Sequence, residues 1–260
     1  QTLQDPAYAR AAKKAADFIL GQMVKDGRLM RRFRHGHIAH PGFLDDYAFF
    51  IWGLLELYEA TFEFVYLAEA SRLNQIVIEL FWDEKQGGFF YTGKDSEPLI
   101  TRMKDLYDGA IPSGNSVAAL NLLRLSRLTG NVGLEEMADR MLRTFAASMG
   151  EYPMAYTQFL NFLDFVVGPS REIVICGDPQ EQDGQAIISW IQQKFLPNKV
   201  MLLKPTGPGG AGPGGKDILN LAPFTKEMQP IQGKTAVYIC SAYACQKPVT
   251  ELEDLAKILP

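Results

Sequence analysis

The chain has 260 residues, 47% hydrophobic and 22% charged, a composition able to bury a sizeable core. Its 26 Lys and Arg against 30 Asp and Glu leave a formal charge of −4, which argues against general attraction to nucleic acid or an anionic membrane surface. No apolar run approaches the roughly 20 residues that a membrane helix needs, and no basic-then-apolar leader opens the sequence.

The first 165 or so residues read as helices. Asp5 followed by Pro6 is a helix start, with Tyr8, Ala11, Ala12, Ala15, Phe18 and Ile19 at helical spacing behind it. Lys25 to His40 is a polar stretch. After Pro41 and Gly42 comes a segment apolar nearly all round, Phe43 to Tyr58, which is expected to be buried on most sides. Phe64 to Phe81 is a one-faced helix. Gly87-Gly88 then breaks the chain, and Phe89 to Tyr91 is expected as a short strand. Ser113 to Ser116 caps a helix over Val117 to Leu128 that Gly130 ends. A surface helix from Leu134 to Met149 follows, and Pro153 opens a last apolar one, Met154 to Val167.

Mostly buried helices thus alternate with surface helices, and this predicts a mainly α protein whose hairpins curl into an α/α toroid over residues 1–169. The rival arrangement is an irregular helical bundle. After Ser170 the texture changes. Glu172–Cys176 and Lys199–Leu203 are β-type runs flanking a helical Gly184–Phe195, a β-α-β crossover with a parallel pair. With Thr235–Cys240 as a third strand and Glu251–Ile258 as a last helix, residues 170–260 form a small α/β appendage carrying a Gly/Pro-rich loop at 206–216.

That loop matches G-x-G-x-x-G at Gly207, Gly209 and Gly212, and GxxxxGK at Gly210, Gly215 and Lys216. Asp217 stands where magnesium binding needs Ser or Thr, Pro213 deletes an N–H, and Pro223 leaves little room for a helix. A surface loop, not a nucleotide site, is expected. His35, His37 and His40 crowd one stretch with Arg31, Arg32 and Arg34, so a solvated loop is favoured over a metal site. Cys240 and Cys245 fit neither a redox CxxC nor a strong zinc spacing. Together with Cys176 they read as buried thiols, with a metal or redox role as the alternative. Three cysteines make no disulfide framework, so a reducing cytoplasm is the expected compartment. Neither a cofactor nor a metal is expected.

Two acidic pairs are more informative. Asp45 and Asp46 stand where a polar loop enters a buried helix, and Asp105 and Asp108 precede the Ser113 cap. Capping explains one carboxylate per helix start. A second, part-buried one has its pKa pushed up, as a general acid requires. In a toroid such helix starts face one mouth, where carboxylates, aromatics and amides suit a sugar. Aromatic faces stack on pyranose rings, and carboxylates and amides bond hydroxyls. In this expectation Asp45 or Asp46 supplies a proton, Asp105 or Asp108 is the base, and Tyr47, Trp82, Tyr107, Ser113 and Asn115 position the ligand. Structural capping remains the competing explanation for all four aspartates.

Long motifs carry a resemblance: GFLDDYAFFIWGLLELYEATFE (42–63), LFWDEKQGGFFYTG (80–93), DLYDGAIPSGNSVAALNLLRLSRLTGN (105–131), EIVICGD (172–178), FLPNKVMLLKP (195–205) and AVYICSAYACQKPVTELEDL (236–255). In these the chain resembles the YyaL-like family of thioredoxin-domain-containing proteins, which includes spermatogenesis-associated relatives. The resemblance implies an N-terminal thioredoxin-like domain followed by a six-hairpin α/α barrel, similar to six-hairpin glycosidases and N-acylglucosamine 2-epimerases. This chain resembles only the last part, with about three hairpins and no thioredoxin-like region. It is therefore expected to be a piece whose inner faces need a partner or a second copy. No catalytic residue transfers by motif. The resemblance implies a sugar hydrolase or epimerase. The alternative is a non-catalytic scaffold docking a thioredoxin-like domain or another protein.

Overall fold

The computed structural model describes residues 3–206, 213–241 and 244–259, and of 213–216 the backbone path alone. Helix α1 (Pro6–Gln22) starts as its sequence dictates: Asp5 Oδ1 accepts the Ala7 N–H at 2.8 Å, with Pro6 in the first turn. The polar stretch that follows is not a loop. It forms an antiparallel sheet of β1 (Val24–Lys25), β2 (Arg28–Arg34) and β3 (His37–Pro41). Both turns have two central residues at positive φ, Asp26-Gly27 (50° and 79°) and His35-Gly36 (50° and 78°), the geometry that matches strand twist in two-residue hairpins.

Helix α2 (Leu44–Thr61) is buried along most of its length because it has neighbours on several sides: α1, α3 (Phe64–Phe81), α4 (Gly114–Thr129) and β2. Helix α4 is more enclosed still, lying against α2, α5 (Val132–Glu151) and α6 (Thr157–Val167). Its ends follow the sequence signals. Ser113 Oγ accepts the Ser116 N–H at 3.1 Å, and Gly130 closes it at φ 73°. So α2, α4 and α6 lie side by side, with α1 and α3 against α2 and α5 against α4. Pro153 opens a 3-10 turn (Pro153–Ala155) before α6. The strand expected at Phe89–Tyr91 is a single bridge, Trp82 to Phe89.

Strands β4 (Arg171–Gly177) and β5 (Lys199–Pro205) pair in parallel across α7 (Gln182–Gln193), as a crossover requires. Strands β6 (Ala236–Ser241) and β7 (Ala244–Cys245) complete the order β5-β4-β6-β7 in antiparallel fashion. The side-chain period of two splits the sheet. Val174, Cys176, Val200, Leu202 and Cys240 join the helical core, while Ile173, Ile175, Met201, Val237 and Ile239 pack on α7 and α9 (Leu252–Ile258). Helix α8 (Pro213–Leu221) takes in residues 213–216 of the loop expected at 206–216, where little room for a helix before Pro223 was expected. It ends before Pro223, which cannot continue it. Gly207–Gly212 of the phosphate-loop look-alike lie outside the described residues.

The cysteines differ from expectation. Cys240 and Cys245 are joined in a disulfide across β6 and β7, and only Cys176 is a free, buried thiol. Register explains it: the two residues are direct cross-strand partners. Among the described residues no helix is long and apolar enough to cross a membrane, and no cluster of three or more His, Cys, Asp or Glu stands ready for a metal ion.

Candidate functional site

The starts of α2, α4 and α6 are brought to one rim. The Gly114 N–H at the start of α4 is bonded to Asp45 at the start of α2, and a Cβ on Gly114 would collide with Asp45 Oδ1. Asp108 links the other two. Its Oδ1 accepts the Ser113 N–H at 2.8 Å, and its Oδ2 accepts the N–H groups of Gln158 and Phe159 at 2.8 and 3.1 Å. A buried carboxylate holding three backbone donors is a cap shared between two helices. That accounts for Asp108 without chemistry.

The two carboxylates of α2 have separate lives. Asp46 Oδ2 accepts the Phe43 N–H at 2.8 Å and lies 3.4 Å from Arg31 Nη1, so it caps its own helix. Asp45 is half-buried. Burial first, then the neighbouring carboxylates of Asp46 and Asp105, push it above the usual carboxylate range, while the Gly114 N–H and Arg31 pull the other way. Asp105 is exposed and accepts the Tyr107 N–H at 3.1 Å. Asp45, Asp46 and Asp105 therefore share one electrostatic environment. Asp108 stands apart in its hydrogen bonding.

The residues expected to position a ligand divide in the same way. Tyr107 is exposed at the rim. Tyr47 is wholly buried, its hydroxyl accepting the Leu29 N–H at 2.9 Å. Asn115 is also enclosed, its Oδ1 accepting from Phe89 N at 2.8 Å and its Nδ2 donating to the carbonyls of Phe89 and Asp105 at 2.9 and 2.8 Å. Ser113 is consumed as the α4 cap. Trp82 is half-buried, edge-on to Phe89 at 5.0 Å and under the Arg140 guanidinium at 5.5 Å. Tyr47, Ser113 and Asn115 thus hold the rim together from inside. Asn115 in particular latches the long coil between α3 and α4 onto the start of α4.

Three residues that sequence reasoning passed over stand beside Asp46. The Phe43 and Tyr91 rings lie 5.0 Å apart, and the Arg31 guanidinium sits 4.9 Å over Phe43 and 3.5 Å from the Tyr91 hydroxyl. Arg31 comes from the hairpin, Phe43 from the α2 entry and Tyr91 from the coil. The signal that would have gathered them is the Asp26-Gly27 and His35-Gly36 turn pair, which folds Arg31 back toward Phe43. His35, His37 and His40 lie on this hairpin, His35 in its turn.

No family model matches the chain. Over 95% of its length it is 37% identical to spermatogenesis-associated protein 20 of Rattus norvegicus, and 35% identical to the protein of that name from Homo sapiens. An uncharacterized protein of Caenorhabditis elegans is 29% identical over 99% of the chain. The chain spans 32% of the length of the two mammalian relatives and 35% of the nematode one. These matches support the likeness to spermatogenesis-associated proteins that the sequence motifs carry, over about a third of those proteins.

Proposed function

We propose that the chain is part of a protein of the spermatogenesis-associated protein 20 family, and that its inner helices belong to an α/α toroid with a carbohydrate-type cleft at the rim. The observation that carries this reading is Asp45, half-buried and crowded by the carboxylates of Asp46 and Asp105, with the Phe43–Tyr91 pair beside Asp46. A carboxyl whose pKa is pushed up by burial and neighbouring carboxylates is suited to donate a proton to a glycosidic oxygen or a sugar ring carbon centre. Asp45 is then the general acid and Asp105, exposed to solvent, the base. Asp46 keeps the α2 cap and Arg31 in place. Tyr107, Phe43 and Tyr91 offer ring faces to a pyranose, and the reaction class is hydrolysis or epimerisation of a neutral sugar. Asp108 is left out of the chemistry because its lone pairs are committed to three backbone donors.

The test is thermal shift of the full chain against a panel of neutral mono- and disaccharides. A ligand at about 100 times its Kd stabilises by about 2.7 kcal/mol, a shift of several degrees. That shift disappears in Asp45→Asn with Asp105→Asn and survives in a variant altered far from the rim, such as Lys257→Gln.

A second reading has its own support. The coil between α3 and α4 exposes Leu99, Ile100, Met103 and Ile111, with Tyr152 and Met154 also exposed beside the 3-10 turn that Asp108 touches. Exposed apolar side chains in such number suit a covering protein surface, and a thioredoxin-like domain is the partner that the family resemblance suggests. Absence of a shift with every sugar, together with binding of a thioredoxin-like domain that Ile100→Asp and Met103→Asp abolish, would replace the cleft by this docking role.

A further inference from the structure

We infer that Cys240 and Cys245 form a reversible dithiol–disulfide couple, opened from the Cys245 side by a dithiol reductant, that pins or frees the β7 edge strand. This rests on neither reading of the rim.

The two sulfurs occupy unequal places. Cys240 lies on the helix-facing side of the sheet, 3% exposed and part of the main core, whereas Cys245 is exposed on the two-residue strand at the sheet edge. A reductant therefore reaches Cys245 first. The pair is also isolated from the third thiol. Cys176 lies on β4 opposite Ala236, while Cys240 lies opposite Glu172 at the other end of the same strand pair. Burial pushes the Cys176 thiol up to about 12, so it stays an unreactive thiol and does not scramble the couple.

Among the described residues, few other bonds hold this end of the sheet. Besides the two register pairs of β6 and β7, Gln246 N–H donates to the Ile239 carbonyl at 2.9 Å, and the next anchor is the Val237–Val249 bridge. The bond spans a sequence separation of 5, and closing so short a loop constrains the unfolded chain less than closing a long one. Its loss loosens an edge without unfolding the protein. Edge strands are where such loosening changes what a sheet can pair with.

The exchange balances. One thiolate of the reductant attacks Cys245 Sγ, the Cys240–Cys245 S–S bond breaks, and Cys240 leaves as a thiolate that takes a proton. The reductant's second thiolate then attacks its own sulfur in the mixed disulfide, and Cys245 leaves and is protonated. Two electrons and two protons pass to the protein, and the reductant becomes a disulfide.

The experiment treats the full native chain with dithiothreitol, then iodoacetamide, and reads the modified cysteines by mass spectrometry. The expected result is alkylation of the exposed Cys245 but not of the enclosed Cys176, without denaturant, and, where iodoacetamide is withheld, restoration of the bond by oxidised glutathione. On reduction, hydrogen exchange at the Gln246 amide quickens about tenfold, the loss of roughly one hydrogen bond's protection, while the β4 and β5 amides keep theirs. The variant Cys245→Ser shows the fast exchange under both conditions. Failure of the pair to form in oxidised glutathione, reduction only in denaturant, or unchanged Gln246 exchange on reduction would each overturn the couple.

Discussion

Asp108 caps a helix to which it does not belong: its Oδ2 accepts the N–H of Gln158, 50 positions along the chain, while its Oδ1 holds Ser113 at the head of α4. Replacing it leaves three buried backbone donors unanswered. Asp108→Ala is expected to cost about 2–3 kcal/mol in urea unfolding. Asp108→Asn, which keeps two acceptor lone pairs, should cost less. Neither change should alter sugar binding once stability is allowed for.

Asp45 gives the opposite sign. Its folded pKa is raised above the ordinary value of 3.8, so the folded state binds protons more readily than the unfolded chain. The stability it contributes is complete below about pH 4 and is lost as pH climbs through the raised value. Asp45→Asn keeps the acceptor for the Gly114 N–H and removes the charge. Its Tm should therefore exceed that of the parent at pH 7, with the gap closing at pH 3. A gap that widened in acid would contradict the crowding of Asp45 by its neighbours.

Gly114 tests whether α2 and α4 meet as closely as described. A side chain there would strike Asp45 Oδ1 and come 2.9 Å from Leu44 Cγ. Gly114→Ala should destabilise by about 1–3 kcal/mol despite alanine's better helix propensity. Gly53, where an added Cβ meets nothing within 4 Å, is the control: Gly53→Ala should be neutral or stabilising.

Arg124 is buried between the exposed Glu56 at 2.7 Å and the enclosed Glu59 at 3.0 Å, tying α4 to α2. Arg124→Ala strands the enclosed Glu59 and should cost about 3–5 kcal/mol by chemical denaturation. Arg124→Met with Glu59→Leu removes both charges and should recover much of that loss.

Much of the helical layer was legible because its signals are local. Asp5-Pro6, Ser113 and Gly130 bound their helices by hydrogen bonds made within a turn, and the all-round apolar α2 announced its burial. The hairpin was hidden because its strands do not alternate: Arg28, Arg31, Arg32 and Arg34 mask the period, and only Leu29 of β2 is buried. At the rim, helix-start logic placed Asp45 and Asp46 at the head of α2, whereas Asp105 comes from the coil ahead of α4. Which neighbours point outward did not follow from it. In helices enclosed on nearly every side, hydrophobicity cannot say that Tyr47 and Asn115 look inward, and the partners Arg31 and Tyr91 arrive from segments distant in sequence.

The sheet carries a consequence for anyone dividing the molecule. Val174, Val200 and Leu202 share one interior with α2 and α4, and the Tyr58 hydroxyl accepts the Leu203 N–H at 3.2 Å. A protease nick after Gly168 would leave two pieces that stay clasped, each supplying the lining the other lacks. The change of texture at Ser170 marks a seam in the weave, and cutting there would expose raw cloth on both sides.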